Sequence, residues 1–333
     1  FSALYKTRIS RSEQQATRRK ELLDKFKQQR QELVDDNRHI KQFIKRLKKK
    51  KYNNEKYKNQ LQLSEWLRER PEDLENWFLV PCPTGKRCLV VAESGTTKVY
   101  SKMGTFMFKY NSMLPGAGTA GHQITILDCI FVKKSEKIYV LDAIAFGNQD
   151  LINCDTAFRF FWIKSQLEEH DLMSVGATNE YPLIPIDFYD MDNEESIMSC
   201  FTRYPQWEGG KPELDGFLFY HKESGYIQGV TPLVGWLFAF MVPEVLGYPV
   251  HEKYMESKPT DYVDCLHYIT VFDEKELKRK KRYNATENEV MEHETNHDDN
   301  IENEGEFDDV LEKSRLLEME GISIDDGEHI ECI

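Results

Sequence analysis

The residues best suited to chemistry lie in a short turn, Gly85-Lys86-Arg87, between two segments predicted to be strands, 77–82 and 87–93. Aromatic and β-branched residues flank the turn, as they commonly do in strands. A glycine beside two cations lets backbone amides and positive charge approach a phosphate together. The sequence therefore predicts a phosphate-binding turn. A hairpin with a solvated basic tip is the alternative, and the turn alone does not decide between them.

Around this turn the sequence resembles the first motif of the covalent nucleotidyltransferases, which include messenger-RNA capping guanylyltransferases and nucleic-acid ligases. That motif is Lys-x-Asp-Gly-x-Arg, with the lysine as the nucleophile. Gly85 and Arg87 match it, whereas Cys82 occupies the position of the nucleophile and Thr84 that of the aspartate. A phosphoramide bond needs an amine, which a cysteine lacks. The resemblance thus implies a nucleotide pocket that has lost its transfer chemistry.

Later motifs of the same class have weaker counterparts. Asp215-Gly216 resembles the fourth motif, and the Gly235-Trp236 region lies where the fifth is expected. Ile144 stands where the third motif has an acidic, metal-associated residue. We therefore predict no catalytic residue, no metal site and no cofactor. An active guanylyltransferase or RNA ligase is the alternative, although the nearest amine, that of Lys86, lies on the wrong side of Gly85.

A closer resemblance extends over about residues 60–250. It rests on Leu63–Leu67, the 85–87 turn, Thr125–Ile130, Phe158–Phe160 with Trp162, Asp215–Lys222 and Thr231–Leu237. On these runs the sequence resembles the snurportin family, import adaptors that bind the trimethylguanosine cap of spliceosomal small nuclear RNAs. The resemblance implies an α+β domain of mostly antiparallel sheets with inserted helices, similar to guanylyltransferases and ligases.

The cap contacts that the resemblance implies centre on two tryptophans. The cap base is methylated at N7 and cationic, and an indole face attracts such a ring. Trp236 resembles the family's stacking residue. Trp66 resembles a residue beside the dimethylated amine, where an apolar wall would leave the donors of an ordinary guanine unpaired. The other implied contacts are Ser64, Lys102, Leu237, Cys82 at the pocket floor, and Lys86, Arg87 and Cys88 at the phosphate bridge or ribose. Without the resemblance, both tryptophans are more readily explained as core residues.

Residues 10–35 are predicted to form a helix that begins with a capping-box pair, Ser12 and Gln15. Its apolar stripe is too thin to fold against its own domain, but it suits an acidic, partly apolar groove on another protein. The first forty residues resemble the importin-beta-binding helix of snurportins. The implied contacts are Arg18, Arg19, Lys20, Leu22, Leu23, Lys25, Phe26, Lys27 and Arg30. A solvated basic helix that binds nucleic acid nonspecifically is the alternative.

Two departures concern the start of the chain, which begins with Phe1 rather than Met. We interpret the sequence as a fragment, and a targeting signal ahead of it stays open. The leucine-containing segment that snurportins place before the importin-binding helix is truncated or absent. Exportin binding is therefore left open.

We divide the chain into an importin-beta-binding helix (1–40), a basic linker (41–60), a cap-binding domain (61–258) and a charged tail (259–333), largely disordered from about residue 283. Within the domain we predict a short amphipathic helix at Leu63–Leu67. A longer helix capped by Asp155 places Phe158, Phe161, Trp162 and Ile163 on its inner side. Strands are predicted at 77–82, 87–93, 97–101, 105–110, 124–132, 137–146, 183–187, 216–221 and after Thr231, with a further helix at 194–202.

Charge and cysteine content narrow the class of protein. The net charge is −13, yet residues 1–58 carry 19 Lys and Arg against 7 Asp and Glu, and residues 287–333 carry 2 against 18. A basic head of this kind suits an acidic partner. Seven cysteines without a Cys-x-x-Cys pair indicate a reducing compartment and no zinc site. No apolar run reaches the length of a membrane span.

The resemblance to snurportins implies a non-enzymatic adaptor that shuttles between nucleus and cytoplasm. Its expected partners are trimethylguanosine-capped small nuclear RNA, within its ribonucleoprotein, and importin beta. An importin-bound adaptor for another cargo, with a vestigial pocket, is the alternative.

Overall fold

Two β-sheets organise the larger part of the chain, in a computed structural model that describes residues 10–35, 57–118, 123–147 and 149–275. Sheet A has the strand order β1-β12-β11-β2-β10, and sheet B has the order β5-β4-β3-β6-β7-β8, with β9 beside β7. The strands are β1 Gln62–Trp66, β2 Trp77–Pro83, β3 Lys86–Glu93, β4 Thr96–Ser101, β5 Phe106–Tyr110, β6 Ile124–Val132, β7 Lys137–Phe146, β8 Gln149–Asp150, β9 Leu183–Pro185, β10 Tyr189–Asp190, β11 Leu214–His221 and β12 Gly229–Leu237.

Helices are inserted between the strands and precede them. They are α1 Arg11–Asp35, α2 Thr156–Glu169, α3 Glu194–Thr202, α4 Val242–Leu246 and α5 Glu252–Met255. Short 3₁₀ turns lie at Leu74–Asn76, Lys133–Ser135, Glu208–Gly210 and Ala239–Met241. Most strand pairs are antiparallel; β1 with β12 and β7 with β9 are parallel. The predicted α+β class with mostly antiparallel sheets and an N-terminal helix is confirmed.

The chain divides into two compact units, residues 1–258 and residues 259–333. In the second unit, residues 265–275 are helical. None of the helices in the described part is both long enough and apolar enough to cross a membrane. The predictions for the basic linker up to residue 56 and for the tail beyond residue 275 lie outside the described residues.

The two sheets face each other across an apolar cluster, which we call the inter-sheet cluster. Sheet A contributes alternate residues of three adjacent strands, and sheet B contributes residues of β6 and β7, as expected when every second side chain of a strand points to one face. Its buried members are Phe78, Val80, Cys82, Ile130, Val132, Tyr139, Leu141, Phe160, Ile186, Leu218, Tyr220 and Val234. A second cluster fills the other face of sheet B, where Ile163 and Leu167 of α2 pack.

The structure contradicts the predicted helix at Leu63–Leu67 and the predicted orientation of two phenylalanines in α2. Leu63–Leu67 is not a helix; most of it forms β1, which pairs in parallel with β12. Asp155 caps α2 as predicted, accepting from the amide of Phe158 at 2.8 Å, and Ile163 faces inward. However, Phe158 and Phe161 lie on the outer side, 44% and 69% exposed.

The capping box of α1 begins two residues earlier than predicted. Ser10 Oγ accepts from the amide of Glu13 at 3.1 Å, and the Glu13 carboxylate accepts from the amide of Ser10 at 2.8 Å. This reciprocal pair is the geometry of a capping box. Gln15, which we had assigned to the cap, is instead buried against the domain.

Candidate functional site

Two tryptophans on neighbouring strands form the centre of the candidate site. Trp66 at the end of β1 and Trp236 on β12 are partners in the parallel pairing. The ring of Phe238 lies 5.7 Å from the indole of Trp66 and 5.9 Å from that of Trp236, between ring centroids. Both indoles are only partly buried. The structure therefore brings together the two residues predicted to contact the cap base and leaves part of each exposed.

The indole of Trp236 packs closely on a glycine of the adjacent strand β11. A Cβ at Gly216 would lie 2.6 Å from Cζ2 of the indole and 2.7 Å from the carbonyl oxygen of Leu237. The ring can approach this closely only because residue 216 has no side chain. Gly216 is in turn the partner of Cys82 on β2. Cys82 belongs to the inter-sheet cluster on which Trp236 packs, consistent with a position at the floor of the site.

Arg87 is largely committed to the interior of the domain. Its guanidinium donates to both carboxylate oxygens of Asp128, at 2.6 and 2.9 Å, and to the carbonyl oxygen of Gln62 at 3.2 Å. Burial alone would lower the pKa of Arg87, but the charge and hydrogen bonds of Asp128 hold that pKa above its ordinary value. These bonds tie β1 to β3 and β6, so Arg87 positions the strand that carries Ser64 and Trp66. Its side chain is 18% exposed, and its predicted contact with phosphate or ribose stays a prediction.

The other predicted polar contacts occupy different places around the site. Ser64 lies on β1, two residues before Trp66, and is partly exposed. Lys102 directly follows Ser101, the β4 partner of Cys88, and is partly buried. Lys86 pairs with Phe131, which belongs to the cluster on the outer face of sheet B. Strand alternation thus places Lys86 on the face opposite Arg87, and the structure does not group it with the two tryptophans.

Two residues predicted to contact the cap have fully buried side chains. Cys88 is fully buried in the outer-face cluster of sheet B, where burial raises the pKa of its thiol. Leu237 is also fully buried. Their predicted contacts with the cap stay predictions.

Sequence reasoning missed two aromatic residues near the site. Phe238 lies near both indoles. Its position two residues after Trp236 was a usable signal, because alternate residues share a face. Trp207, left unassigned from the sequence, packs against the inter-sheet cluster. It lies edge-on to Tyr139, with ring centroids 6.1 Å apart. Nothing in the pattern around Trp207 indicated this position, which depends on how the 203–213 segment folds back.

The position that is acidic in the third nucleotidyltransferase motif, and the nearest carboxylate to it on β7, show how this region differs from a metal site. Ile144 is buried, as an apolar residue in that place would be. Asp142, two residues earlier, accepts from Nε and Nη2 of Arg159, both at 2.8 Å. Within the residues that the structure describes, no group of three His, Cys, Asp or Glu side chains is arranged to hold a metal ion.

Helix α1 lies against the edge of sheet A, contrary to the prediction that it cannot fold against its own domain. The side-chain amide of Gln15 donates through Nε2 to the carbonyl oxygen of Trp66 and to Glu65 Oε2, both at 3.0 Å. Arg18 forms a two-bond ion pair with Glu65, at 2.7 and 2.8 Å. The helix is therefore bonded to the same strand, β1, that carries Ser64 and Trp66.

A second set of contacts follows one turn later. Arg19 is 7% exposed, and its Nε donates to the carbonyl oxygen of Pro232 at 3.1 Å. Its guanidinium lies 5.3 Å from the ring centroid of Trp77, a distance at which a cation–π interaction is favourable. Burial lowers the pKa of Arg19, since the charged form loses hydration there.

Further along α1, residues 26–30 contact the segment that follows β11. The ring of Phe26 packs on Gly225, where an added Cβ would lie 2.7 Å from Cε1 of the ring. Arg30 donates to the carbonyl oxygen of Glu223 at 2.8 Å and contacts Asp155 at 3.4 Å. Of the other predicted importin contacts, Lys27 pairs with Glu223 at 3.2 Å, Leu22 and Leu23 are partly buried, and Lys20 and Lys25 are exposed.

Comparison with known protein families identifies the larger unit. A family model described as "Snurportin1, m3G cap-binding domain" matches residues 60–239, more than half of the chain. The chain belongs to the snurportin family. The match spans β1 to β12, and so includes both tryptophans of the candidate site. This snurportin chain thus contains a domain of the family's m3G (trimethylguanosine) cap-binding type.

The solved structures to which this chain is similar include DNA ligases. The ligase domain of Mycobacterium tuberculosis LigD is 13% identical, over 53% of this chain and 58% of that chain, with a TM-score of 0.36. A ligase named Pmar-Lig_PreS3 is 10% identical, over 54% and 46%, with a TM-score of 0.38. The match spans less than two thirds of the length of either ligase. Likenesses at these TM-scores carry no argument about the activity of this chain.

Proposed function

We propose that this snurportin-family chain is a nuclear import adaptor that binds the 5′ trimethylguanosine cap of spliceosomal small nuclear RNAs and links the ribonucleoprotein to importin beta. The observation that carries the proposal is the pair of partly exposed indoles, Trp66 and Trp236, on adjacent strands within a matched m3G cap-binding domain. The adaptor would move between cytoplasm and nucleus with its cargo.

The indoles suit the chemistry of this cap. Methylation at N7 makes the base cationic, so a stacked indole gains cation–π attraction in addition to the stacking itself. Stacking of a base on an aromatic side chain contributes about 1–3 kcal/mol. A dimethylated exocyclic amine has no hydrogen to donate, so an apolar neighbour such as Trp66 leaves no donor unpaired, whereas an ordinary guanine amine would lose its bonds to water. Selectivity for the trimethylated cap follows from this asymmetry.

The residues around the site favour binding over catalysis. A covalent nucleotidyl intermediate would need an amine at the position of Cys82. The nearest lysine in sequence, Lys86, lies on a strand face away from the two tryptophans. We therefore propose a non-enzymatic adaptor whose function requires no cofactor or metal. An active guanylyltransferase or ligase is the alternative.

Fluorescence titration tests the cap-binding part of the proposal. Trimethylated and monomethylated cap dinucleotides are each added to the purified chain while tryptophan emission is followed. We expect quenching by both, with affinity for the trimethylated cap at least tenfold higher, because only that cap lacks amine donors. Equal affinities, or no quenching by either dinucleotide, would contradict the proposal and leave an adaptor for another cargo with a vestigial pocket.

A labelling experiment separates the adaptor from the enzyme. The chain is incubated with radiolabelled GTP or ATP and magnesium, with a guanylyltransferase as a positive control. We expect no covalent protein–nucleotide adduct from this chain. An adduct that resists denaturation would favour the transferase.

A further inference from the structure

The surface that holds α1 is a continuous groove on the cap-binding domain. We define the α1 groove by Glu65, the carbonyl oxygens of Trp66 and Pro232, the ring of Trp77, and residues 223–225. Its partners on the helix are Gln15, Arg18, Arg19, Phe26, Lys27 and Arg30, among which 15 and 19, 19 and 26, and 26 and 30 are separated by four or seven residues, one or two helical turns. That spacing places them on one face of the helix. The groove thus binds one face over about four turns.

The groove offers bonding groups that need a partner. β12 departs from regular pairing with β1: Ser64 pairs with Thr231, whereas Glu65 pairs with Gly235. The residues between include Pro232, which has no partner in the pairing of β12 with β1 or with β11, and whose carbonyl oxygen accepts from Arg19. A buried carbonyl left without a donor costs about 1–3 kcal/mol. Arg19 therefore stabilises the irregular part of sheet A as well as the helix.

Charge also matches across the groove. Three cations of α1 meet three carboxylates of the domain: Arg18 with Glu65, Lys27 with Glu223 and Arg30 with Asp155. An isolated helix with few apolar residues is marginal in water. Docking in the groove is what holds the helix face in place, through satisfied polar groups rather than through a broad apolar stripe.

The same residues are those predicted to bind importin beta. Six of the nine implied contacts, Arg18, Arg19, Phe26, Lys27, Arg30 and the partly buried Leu22, lie on or beside the docked face. One helix face cannot lie in two grooves at once.

We propose that the α1 groove of the cap-binding domain and the acidic groove of importin beta compete for α1, so that importin beta must displace the helix from its own domain before binding it. This inference rests on the proposed function for the identity of the partner, and on the groove alone for the docking. Competition reduces the apparent affinity of the partner by the fraction of chains in which α1 is released.

The test changes the groove and leaves the helix intact. In the full chain, Glu65→Lys with Glu223→Lys replaces two ion pairs by repulsion. Glu168→Lys with Glu169→Lys is the control of matched charge, because both residues are exposed on the last turn of α2, outside the groove. We expect the groove variant to bind importin beta roughly fivefold or more tightly than the wild type, and the control to bind as the wild type does.

Amide hydrogen exchange measures whether α1 is docked on the cap-binding domain when importin beta is absent. In the wild type, amides within residues 11–30 are expected to exchange at least tenfold more slowly than in the groove variant. When importin beta is added to the wild type, the segments 62–67 and 223–225 are expected to lose protection as α1 moves to the partner.

The outcomes separate the two claims. Unprotected α1 in the wild type would overturn the docking, whatever importin beta does. Protection of both α1 and the groove segments in the complex, or a groove variant that binds no more tightly than the control, would overturn the competition. If no version of the chain binds importin beta, the proposed function fails at that partner and the competition fails with it, while exchange still decides whether α1 docks.

Discussion

At the scale of single residues, Trp236 depends on its neighbours for its orientation. The indole lies on Gly216 across the strand pair and beside Phe238, with the inter-sheet cluster beneath it. A larger residue at 216 would push the ring away from the sheet, because a Cβ there would meet both the ring and a backbone carbonyl. The glycine therefore decides where the face of the indole is presented.

Replacement of Trp236 measures the stacking directly. Trp236→Ala is expected to weaken binding of the trimethylated cap by about 5- to 150-fold, corresponding to the loss of about 1–3 kcal/mol of stacking. Trp236→Phe keeps a smaller aromatic face and should lose less. Isothermal titration gives the affinities.

The matched control is Trp162→Ala, on α2. Trp162 stacks on Phe158 and packs on the outer-face cluster of sheet B, so its loss leaves cap affinity unchanged. Thermal unfolding reports whether each variant is folded. Full cap affinity in a folded Trp236→Ala chain would remove this residue from the site.

How far the sequence predicted the site differs from residue to residue. The family resemblance singled out both tryptophans, because their surrounding runs are specific, and the structure places them on paired strands. It did not show that Arg87 turns inward to Asp128, since a basic residue at a turn has the same one-dimensional signature whether it faces solvent or a buried carboxylate. The burial of Cys88 follows from strand alternation with Val90, and that argument was available from the sequence.

At the scale of elements, β1 shows where a short pattern misleads. Five residues with mixed polarity fit an amphipathic helix as well as an edge strand, and only pairing with β12 decides. Pro232 was a usable signal in β12, because a proline lacks the donor that a regular strand needs and favours a bulge. The irregular pairing is found beside it. That Arg19 of α1 would bond to the proline carbonyl depends on tertiary contacts and leaves no local pattern.

Helix α2 is tied to sheet B by a fully buried ion pair. Arg159 donates to both oxygens of Asp142 on β7, and also to the carbonyl oxygens of Cys154 and Ser224. Neither charged side chain is exposed to solvent. The pair joins α2 and β7, and the same guanidinium reaches Ser224 after β11, 65 residues further along the sequence.

Breaking this pair is expected to be costly. Asp142→Ala leaves a buried guanidinium without its counter-ion, and should lower the free energy of unfolding by about 3–5 kcal/mol. Arg159→Met with Asp142→Leu should cost less than the sum of the two single changes, because no charge is left buried. Urea denaturation of the wild type, Arg159→Met, Asp142→Leu and the double variant gives the coupling energy.

An exposed pair provides the comparison. Lys253 and Glu256 lie three residues apart at the end of α5, with side chains 47% and 67% exposed. Glu256→Ala should therefore leave the free energy of unfolding close to that of the wild type. Equal losses for Asp142→Ala and Glu256→Ala would show that burial does not determine the cost.

At the scale of the whole molecule, the packing of α1 on the cap-binding domain is the feature that sequence reasoning predicted least well. The prediction counted apolar residues, and by that measure the helix had too few to fold against the domain. The interface instead consists largely of polar groups that satisfy one another: Gln15, 2% exposed, and Arg19 reach backbone carbonyls at the irregular edge of sheet A. Such bonds have no periodic signature, because their acceptors are main-chain atoms of any residue type.

Swapping the charges of Arg18 and Glu65 tests this interface, and amide hydrogen exchange is the measurement. Arg18→Glu alone and Glu65→Arg alone each place like charges in contact, so each should increase the exchange rate of amides in residues 11–30. The double variant restores opposite charges with the partners reversed, and its exchange should return most of the way to the wild-type rate. Gln28→Glu, a change on the exposed face of α1, should leave the rate unaltered. If the double variant exchanges as fast as the single variants, the Arg18–Glu65 contact is not what holds the helix to β1, and the docking must depend on Gln15 and Arg19.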